Sequence, residues 1–462
     1  MIKFIKYKKN TIYLKYIKLL LLLIKIISLI SLGIYNYKHI SQQKFSPYSQ
    51  NITKIKVRDG KLAKIGIISD LQLKQNISTN FFDFYAYNVK TALKFFQKHN
   101  IDIIIMAGDI TYEGKIINYL YFKEIFYSVY ENTKIPILIS IMGNHDYIDE
   151  TFSKLGNQKK FVKYMNSYPF SHYLINNYNF IFWSYSFIRK GNFKKKEYSW
   201  LKSRIENARK NINKVGDPIF IISHMPPLKT VYGSENISGD EELYNILKNY
   251  PEVISISGHS HYSLKNIKSI WQGNFTSLNI QSISYIELDR VYSNYLDVVN
   301  SSGNESMGLI AYLNENNVIF DRIQFSAEEI MEERWNINFP MNISTFIYTF
   351  EKMNKKIKPI FVDKDIIKIK KVNNTKIFII FTAAIHQEYV YKYKIVFSNI
   401  EKQENNRIYY YYSDYYKSKN NRNKILKFEL PNDLNRGKYN IDIYAIDTFD
   451  NISKPKKGII NI

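Results

Sequence analysis

From Ala63 onward, short runs of consecutive apolar residues alternate with segments whose apolar positions recur every three or four residues. The first pattern predicts strands covered on both faces, and the second predicts helices with one buried stripe. Residues 63–69, 101–107, 135–141, 219–223 and 253–257 read as such strands. Residues 82–98 place Phe82, Tyr85, Ala86, Val89, Leu93 and Phe96 on one helical face, with further helices expected near 115–131, 197–210 and 240–249. Strand and helix alternation of this kind predicts a layered α/β domain. Residues 173–175 and 180–186 flank Asn176-Asn177, a hairpin signal, while 277–288, 308–313 and 318–325 suggest strands of a second sheet.

After Trp335 and Pro340 the pattern becomes strand throughout. Residues 376–381, 391–397, 424–430 and 439–446 alternate, with Tyr439, Ile441, Ile443 and Ala445 on one side of the last. Asn, Asp and Lys fill the turns between them. A stretch of roughly 115 residues built this way suits a β-sandwich.

The beginning of the chain follows different rules. Six lysines in the first 18 residues, with no acid, run into an apolar stretch from Leu19 to Ile34. A positive segment that stays inside while an apolar run enters the bilayer is the physics of export. The run is marginal for a span, and Lys25 within it would cost about 2.5–3.5 kcal/mol at the centre of a spanning helix. Residues 1–35 are expected to be a signal peptide or an N-terminal membrane anchor, 36–62 a polar tether, 63–339 the α/β domain and 345–462 the β domain. The address implied is secreted or the outer face of the membrane.

The net charge of +24 suggests a polyanion partner until it is divided along the chain. Residues 1–64 hold 14 basic residues against one acidic, 65–340 hold 28 of each, and 341–462 hold 23 against 12. A nucleic-acid groove in the α/β domain would need basic excess there, so nucleic acid is not the expected partner. The +11 of the last segment instead allows contact with an anionic cell envelope. Cysteine is absent, which excludes disulfides, zinc-thiolate sites and a cysteine nucleophile.

The chemistry gathers where the buried strands end, as ligand-binding groups in α/β folds do. Five ends read Ser69-Asp70-Leu71-Gln72, Gly108-Asp109, Gly143-Asn144-His145-Asp146, Ser223-His224-Met225-Pro226-Pro227 and Gly258-His259-Ser260-His261. Four of the eight histidines fall within them. Gly108, Gly143 and Gly258 are expected to let the backbone turn sharply before each polar residue.

The ordered set resembles the calcineurin-like metallophosphoesterases, whose pattern runs D-x-H, GD, GNH-D/E, H, GHxH. The match covers about residues 63–325, and Gln72 stands where the family usually has His. The resemblance implies a four-layered α/β/β/α sandwich holding two divalent ions, with Asp109 bridging them. Asp70, Gln72 and His261 would complete one site, and Asn144, His224 and His259 the other. A carboxylate between two repelling cations is electrostatically required, and oxygen ligands mixed with imidazole suit Mn²⁺, with Fe or Zn²⁺ as alternatives. A bridging hydroxide is the implied nucleophile. His145 neighbours a ligand and is left facing substrate; by resemblance it protonates the leaving alkoxide, with Asp146 expected to orient its imidazole. Gln72 offers an amide oxygen, which should weaken the first site and favour Mn²⁺ or Mg²⁺.

The tail from 444 to 455, Tyr-Ala-Ile-Asp-Thr-Phe-Asp-Asn-Ile-Ser-Lys-Pro, is similar to the end of a fibronectin type III or other Ig-like module. The combined expectation is an exported or membrane-anchored phosphoesterase acting on phosphate mono- or diesters. A cell-surface attachment protein using the metal fold as a scaffold is the alternative. His39, His99, His172 and His386 lie outside every motif and are expected to carry no chemistry, and Tyr147 and the tyrosines at 409–412, 415 and 416 are expected to pack.

Overall fold

The computed structural model describes residues 45–58, 62–75, 83–184, 192–212, 214–235, 239–288, 298–299, 305–362, 367–371, 376–401, 405–417, 424–431, 434 and 436–462. The expected signal or anchor at 1–35 and His39 lie outside these residues. Among the described residues no helix is long and apolar enough to cross a membrane.

The chain forms β1 (Tyr48–Ile55), β2 (Ala63–Ile68), α1 (Phe84–Lys98), β3 (Ile103–Met106), α2 (Ile116–Tyr130), β4 (Ile137–Ser140) and α3 (Lys154–Met165). The hairpin of β5 (Phe170–Ile175) and β6 (Tyr178–Trp183) leads to α4 (Asn192–Lys210), β7 (Ile219–Ser223), α5 (Glu241–Leu247) and β8 (Val253–Ser257). Then come β9 (Ile270–Gln272), β10 (Thr276–Asn279), β11 (Ile286–Glu287), β12 (Val298–Val299), β13 (Met307–Leu313), β14 (Asn317–Gln324), β15 (Glu329–Ile330) and β16 (Trp335–Asn338). One sheet runs β15-β14-β13-β2-β3-β4 with β16 on β14, and the other runs β1-β5-β6-β7-β8-β10-β9.

Strand alternation divides the apolar residues among three cores. Ile65, Ile105, Phe182 and Ile222 point between the two sheets. Ile104 and Met106 face outward onto Phe96 and Phe122 of α1 and α2. Ile181 and Ile221 face the other way, onto Leu201 of α4 and Leu243 of α5. Neighbouring side chains on one strand therefore enter different cores, which is why these runs are continuously apolar. The outcome is the four-layered sandwich expected from the sequence. Strands β2, β3 and β4 are parallel, as are β6, β7 and β8, so within each set the carboxyl ends emerge along one edge.

Several elements differ from the sequence expectation. The strands after His261 do not form the second sheet by themselves: β13 and β14 join β2, while β5 to β8 build the other sheet with β10. The run 277–288 splits into β10 and the two-residue β11 because Ser282, Ser284 and neighbours turn back onto the Asp70 loop, where Ser282 Oγ donates to the Asp70 carbonyl at 3.0 Å. The expected tether contains an edge strand, β1, paired in parallel with β5 through residues such as Ile52 and His172. Helix α3 was not expected, because its sequence is largely polar; Ser153 caps it by accepting from Gly156 N–H, and Phe161, Tyr164 and Met165 bury its inner face. The Asn176-Asn177 turn is as expected, with φ values of 45° and 71°.

Beyond Pro340 the chain still contributes Met341, Phe346 and Met353 to the core between the sheets. The short helix α6 (Phe350–Met353) leads into β17 (Lys368–Lys371), β18 (Ile377–Thr382), β19 (Lys392–Asn399), β20 (Arg407–Tyr412), β21 (Ile425–Glu429), β22 (Lys438–Ile446) and β23 (Lys456–Asn461). They make two antiparallel sheets, β17-β18-β21 and β20-β19-β22-β23, sharing a core of Ile379, Phe381, Tyr393, Ile395, Leu426 and Ile443. This unit is tied to the α/β domain by tyrosines. The hydroxyls of Tyr232 and Tyr391 hydrogen-bond, Tyr389 accepts the Ile267 N–H at 2.9 Å, and Tyr232, Ile286, Tyr391 and Tyr415 form one buried cluster.

Candidate metal centre

The five polar strand ends converge at the edge where the two sheets meet. Asp70 follows β2, Asp109 follows β3, Asn144 follows β4, His224 follows β7, and His259 and His261 follow β8. Asp70, Asp109, Gln72, His224 and His261 are all at most 3% exposed. One ligand atom each of Asp70, Asp109 and His224 lies within 4.8 Å of the others. His224 Nε2 is 3.3 Å from Asp109 Oδ2, 3.9 Å from Asp70 Oδ1 and 3.0 Å from Asn144 Oδ1. His261 Nε2 is 3.2 Å from Asp70 Oδ1 and 3.4 Å from Gln72 Nε2. The rings of His259 and His224 have centroids 5.0 Å apart.

The structure brings Asp70, Gln72 and His261 together, and Asn144, His224 and His259 together, and Asp70 also links the groups, with Oδ1 3.9 Å from His224 Nε2 and Oδ2 accepting from the His259 N–H at 3.0 Å. Gln72 is not a surface amide. It is 1% exposed and accepts from Ser284 Oγ at 3.3 Å. Turning its amide end for end would present the oxygen to His261 and leave the NH₂ facing Ser284, whose hydroxyl can accept as well as donate.

Backbone carbonyls fix the imidazoles. His224 Nδ1 is 2.9 Å from the Ala107 oxygen, His261 Nδ1 is 3.2 Å from the Tyr285 oxygen, and His145 Nδ1 is 2.9 Å from the Tyr112 oxygen. A carbonyl only accepts, so each Nδ1 carries the proton and each Nε2 is turned to the carboxylates. This is how metal-binding histidines are oriented.

The cage is held under strain and at close quarters. Asp70, Gln72, Asp109, His259 and His261 all adopt left-handed φ between 46° and 69°, a conformation that costs non-glycine residues about 1–3 kcal/mol each and clusters at functional sites. Gly108 turns the backbone as expected, with φ 98°, whereas Gly143 and Gly258 serve proximity. A Cβ on Gly143 would sit 2.1 Å from Asp109 Oδ1, and one on Gly258 2.5 Å from Asp70 Oδ2, although neither glycine has left-handed φ.

Electrostatics follow from packing. Burial opposes charge on Asp70, but His261 and His224 outweigh it and hold the carboxyl below the usual range. Asp109 is likewise raised by burial and lowered further by His224. Burial works against a charged His224, yet Asp109 and Asp70 lift it to about 10. His259 is pushed down to about 4, by burial and then by His224, leaving a neutral imidazole with a free lone pair.

The donor set fits a pair of divalent cations. Among the described residues, buried Asp70 Oδ1 finds no hydrogen-bond donor, a costly position for a carboxylate oxygen unless a cation faces it. Carboxylates, imidazoles and amides are the hard and borderline donors such ions take.

Asp146 does not meet its expectation. Its carboxylate does not hold the His145 ring; it accepts from the N–H groups of Ile110, Thr111 and Gly143 and the hydroxyls of Thr111 and Tyr119, at 3.0–3.2 Å. Burial, then the Asp109 charge, raises its pKa to about 6. It pins the Asp109 loop to the Asn144 loop. The His145 ring is steered by Tyr112, and its main-chain N–H donates to Asp109 Oδ1 at 2.8 Å. Tyr112, Ser284 and Tyr285 carried no motif in the sequence; the one signal was their position just past Asp109 or just past β10. Tyr147 packs and receives Gln158 at 3.2 Å. His99 stacks on Phe95, His172 pairs with Asn179, and His386 meets the Ile357 carbonyl, all away from the cage.

Residues 63–263 match the family model for calcineurin-like phosphoesterases. A comparison with curated proteins gave no match. Among solved structures, GAP50, the anchor in the inner membrane complex of Plasmodium, aligns at 15% identity and TM-score 0.43, covering 64% of this chain and 92% of that one. A dimetal phosphatase from Danio rerio aligns at 11% identity and TM-score 0.41, covering 60% and 99%. Purple acid phosphatase PPD1 from yellow lupin seeds aligns at 13% and TM-score 0.41, covering 60% and 54%.

Proposed function

We propose that the protein is a dinuclear-metal phosphoesterase hydrolysing phosphate mono- or diesters, exported or held at the membrane by residues 1–35. The observation that carries the chemistry is the buried Asp70 Oδ1, without a hydrogen-bond donor among the described residues, with the Nε2 atoms of His261 and His224 turned toward it at 3.2 and 3.9 Å. Asp70, Gln72 and His261 would hold one divalent ion and Asn144, His224 and His259 the other, with Asp109 between. When bound, the ions supply the Lewis acidity that activates water and offsets charge on the phosphate.

The chain's own groups do the rest. His145, 24% exposed at the side chain, stands at the mouth of the cage with Nε2 3.9 Å from Asp109 Oδ2. Because Nδ1–H is committed to the Tyr112 carbonyl, Nε2 is the ring atom left to exchange a proton with a leaving alkoxide. Asp146 keeps the two loops in register so that His145 and Asp109 stay together. The export reading rests on the lysine-led apolar stretch, and the Ig-like reading of the C-terminal unit rests on the 444–455 tail and its two antiparallel sheets.

A panel of generic phosphomonoesters and phosphodiesters assayed with Mn²⁺, Fe²⁺ and Zn²⁺ tests the reading. Metal-dependent turnover on at least one class is expected. Stoichiometric metal binding with no turnover on any would transfer the fold to the scaffold alternative.

A further inference from the structure

The outer face of the three-stranded sheet β17-β18-β21 has an ordered pattern that neither the fold nor the metal centre uses. Register pairs place Lys368 beside Ile380, Lys370 beside Phe378, Ile380 beside Lys427, and Thr382 beside Ile425. The alternate residues Ile379, Phe381 and Leu426 point into the shared core, so Phe378, Ile380, Ile425 and the three lysines point outward together. Lys368, Lys370 and Lys427 are exposed, and Ile425 is 63% exposed. Lys427 Nζ lies 3.9 Å from the Phe378 ring centre, its stem laid across the apolar row. Among the described residues the one acid on this face is Glu429, which pairs with Phe378 and is opposed by Lys376 at 3.8 Å.

We infer that this face docks on an anionic lipid bilayer. A central apolar strand flanked on both sides by lysines is unsuited to a purely polar polyanion, which would leave Phe378, Ile380 and Ile425 in water. A bilayer surface satisfies both halves: headgroup phosphates meet the lysines, and the acyl boundary takes the isoleucines. The +11 charge of residues 341–462 gives the attraction its sign. The lysines also discourage strand addition at the sheet edges, but that purpose does not require an apolar row between them. The inference stands apart from the phosphoesterase reading and fails or survives without it.

The chain has no cysteine, so full-length protein carrying Ile425→Cys takes a single environment-sensitive NBD label. Vesicles of phosphatidylglycerol and phosphatidylcholine are expected to raise its emission about threefold with a blue shift. Phosphatidylcholine alone should not, nor should label at Ile459→Cys, on β23 of the other sheet, respond. Combining Lys368→Glu, Lys370→Glu and Lys427→Glu should abolish the response at 425. Unchanged emission at 425 on anionic vesicles, an equal response at 459, or the same response to dextran sulfate without lipid would each overturn the inference.

Discussion

The Nδ1 atom of His145 lies 2.9 Å from the carbonyl oxygen of Tyr112, while the carboxylate of the adjacent Asp146 is filled by five donors: three from Ile110 and Thr111, the Gly143 N–H of its own loop and the Tyr119 hydroxyl of α2. A neutral carbonyl fixes the tautomer of His145 without the charge that a carboxylate would add. Steering of the His145 ring and pinning of the two loops thus fall to separate groups.

His145→Ala should leave metal stoichiometry intact and lower turnover by roughly 10²–10⁴-fold, the range for losing a general acid. Asp146→Asn should behave differently, costing roughly 1–3 kcal/mol of stability because buried N–H donors lose their acceptor. Calorimetric Mn²⁺ titration, steady-state rates and urea midpoints separate the two. Full activity in His145→Ala would remove its assigned role.

Gln72 is buried against His261, so the first site depends on what this side chain offers. Gln72→His should tighten that site roughly tenfold and move its preference from Mn²⁺ toward Zn²⁺, as imidazole replaces an amide. Competitive metal titration reads this directly. Identical affinities and preferences in the two proteins would make residue 72 irrelevant to coordination.

His172 should make stability fall in mild acid. It is 1% exposed, with Nε2 at 2.9 Å from Asn179 Oδ1 and Nδ1 without a partner among the described residues. Burial, against the opposing Asn179 bond, pushes its pKa from 6.5 to about 4. Between those values the unfolded chain binds the proton and the folded one does not, so stability rises with pH across that window. The loss on acidification from 6.5 to 4 should be on the order of 3 kcal/mol. Urea midpoints measured across the window should flatten in His172→Gln by that component, and parallel profiles for both proteins would contradict the assignment.

The tyrosine contact between the domains should reach the metal centre. Tyr391 bonds Tyr232, whose ring meets Tyr262 edge-on at 4.5 Å, and Tyr262 follows His261. Tyr391→Phe should cost about 0.5–1.5 kcal/mol, and Tyr391→Ala roughly 3–5 kcal/mol by leaving a cavity. The alanine variant should also weaken Mn²⁺ binding. Thermal unfolding and metal titration on the same samples check both, and an unaltered metal affinity in a destabilised protein would confine the contact to stability.

The sequence by itself determined the alternation of buried strands and helices and the polar residues gathered at the strand ends. Continuous apolar runs fixed strands such as 219–223 and 253–257, since a strand buried on both faces leaves no polar position, and the polar residues at their ends named Asp70, Asp109, Asn144, His224, His259 and His261. Helix α3 and strand β1 were not legible because half of the residues that α3 buries, Asn157, Gln158 and Lys160, are polar, and β1 is a polar edge whose partner lies more than a hundred residues away. Tertiary structure alone decided which strands share a sheet, that Asp146 serves the backbone while Tyr112 steers His145, and that Ser284 and Tyr285 close the cage behind Gln72 and His261. Those outcomes depend on distances between segments remote in the chain, and local periodicity carries no information about them.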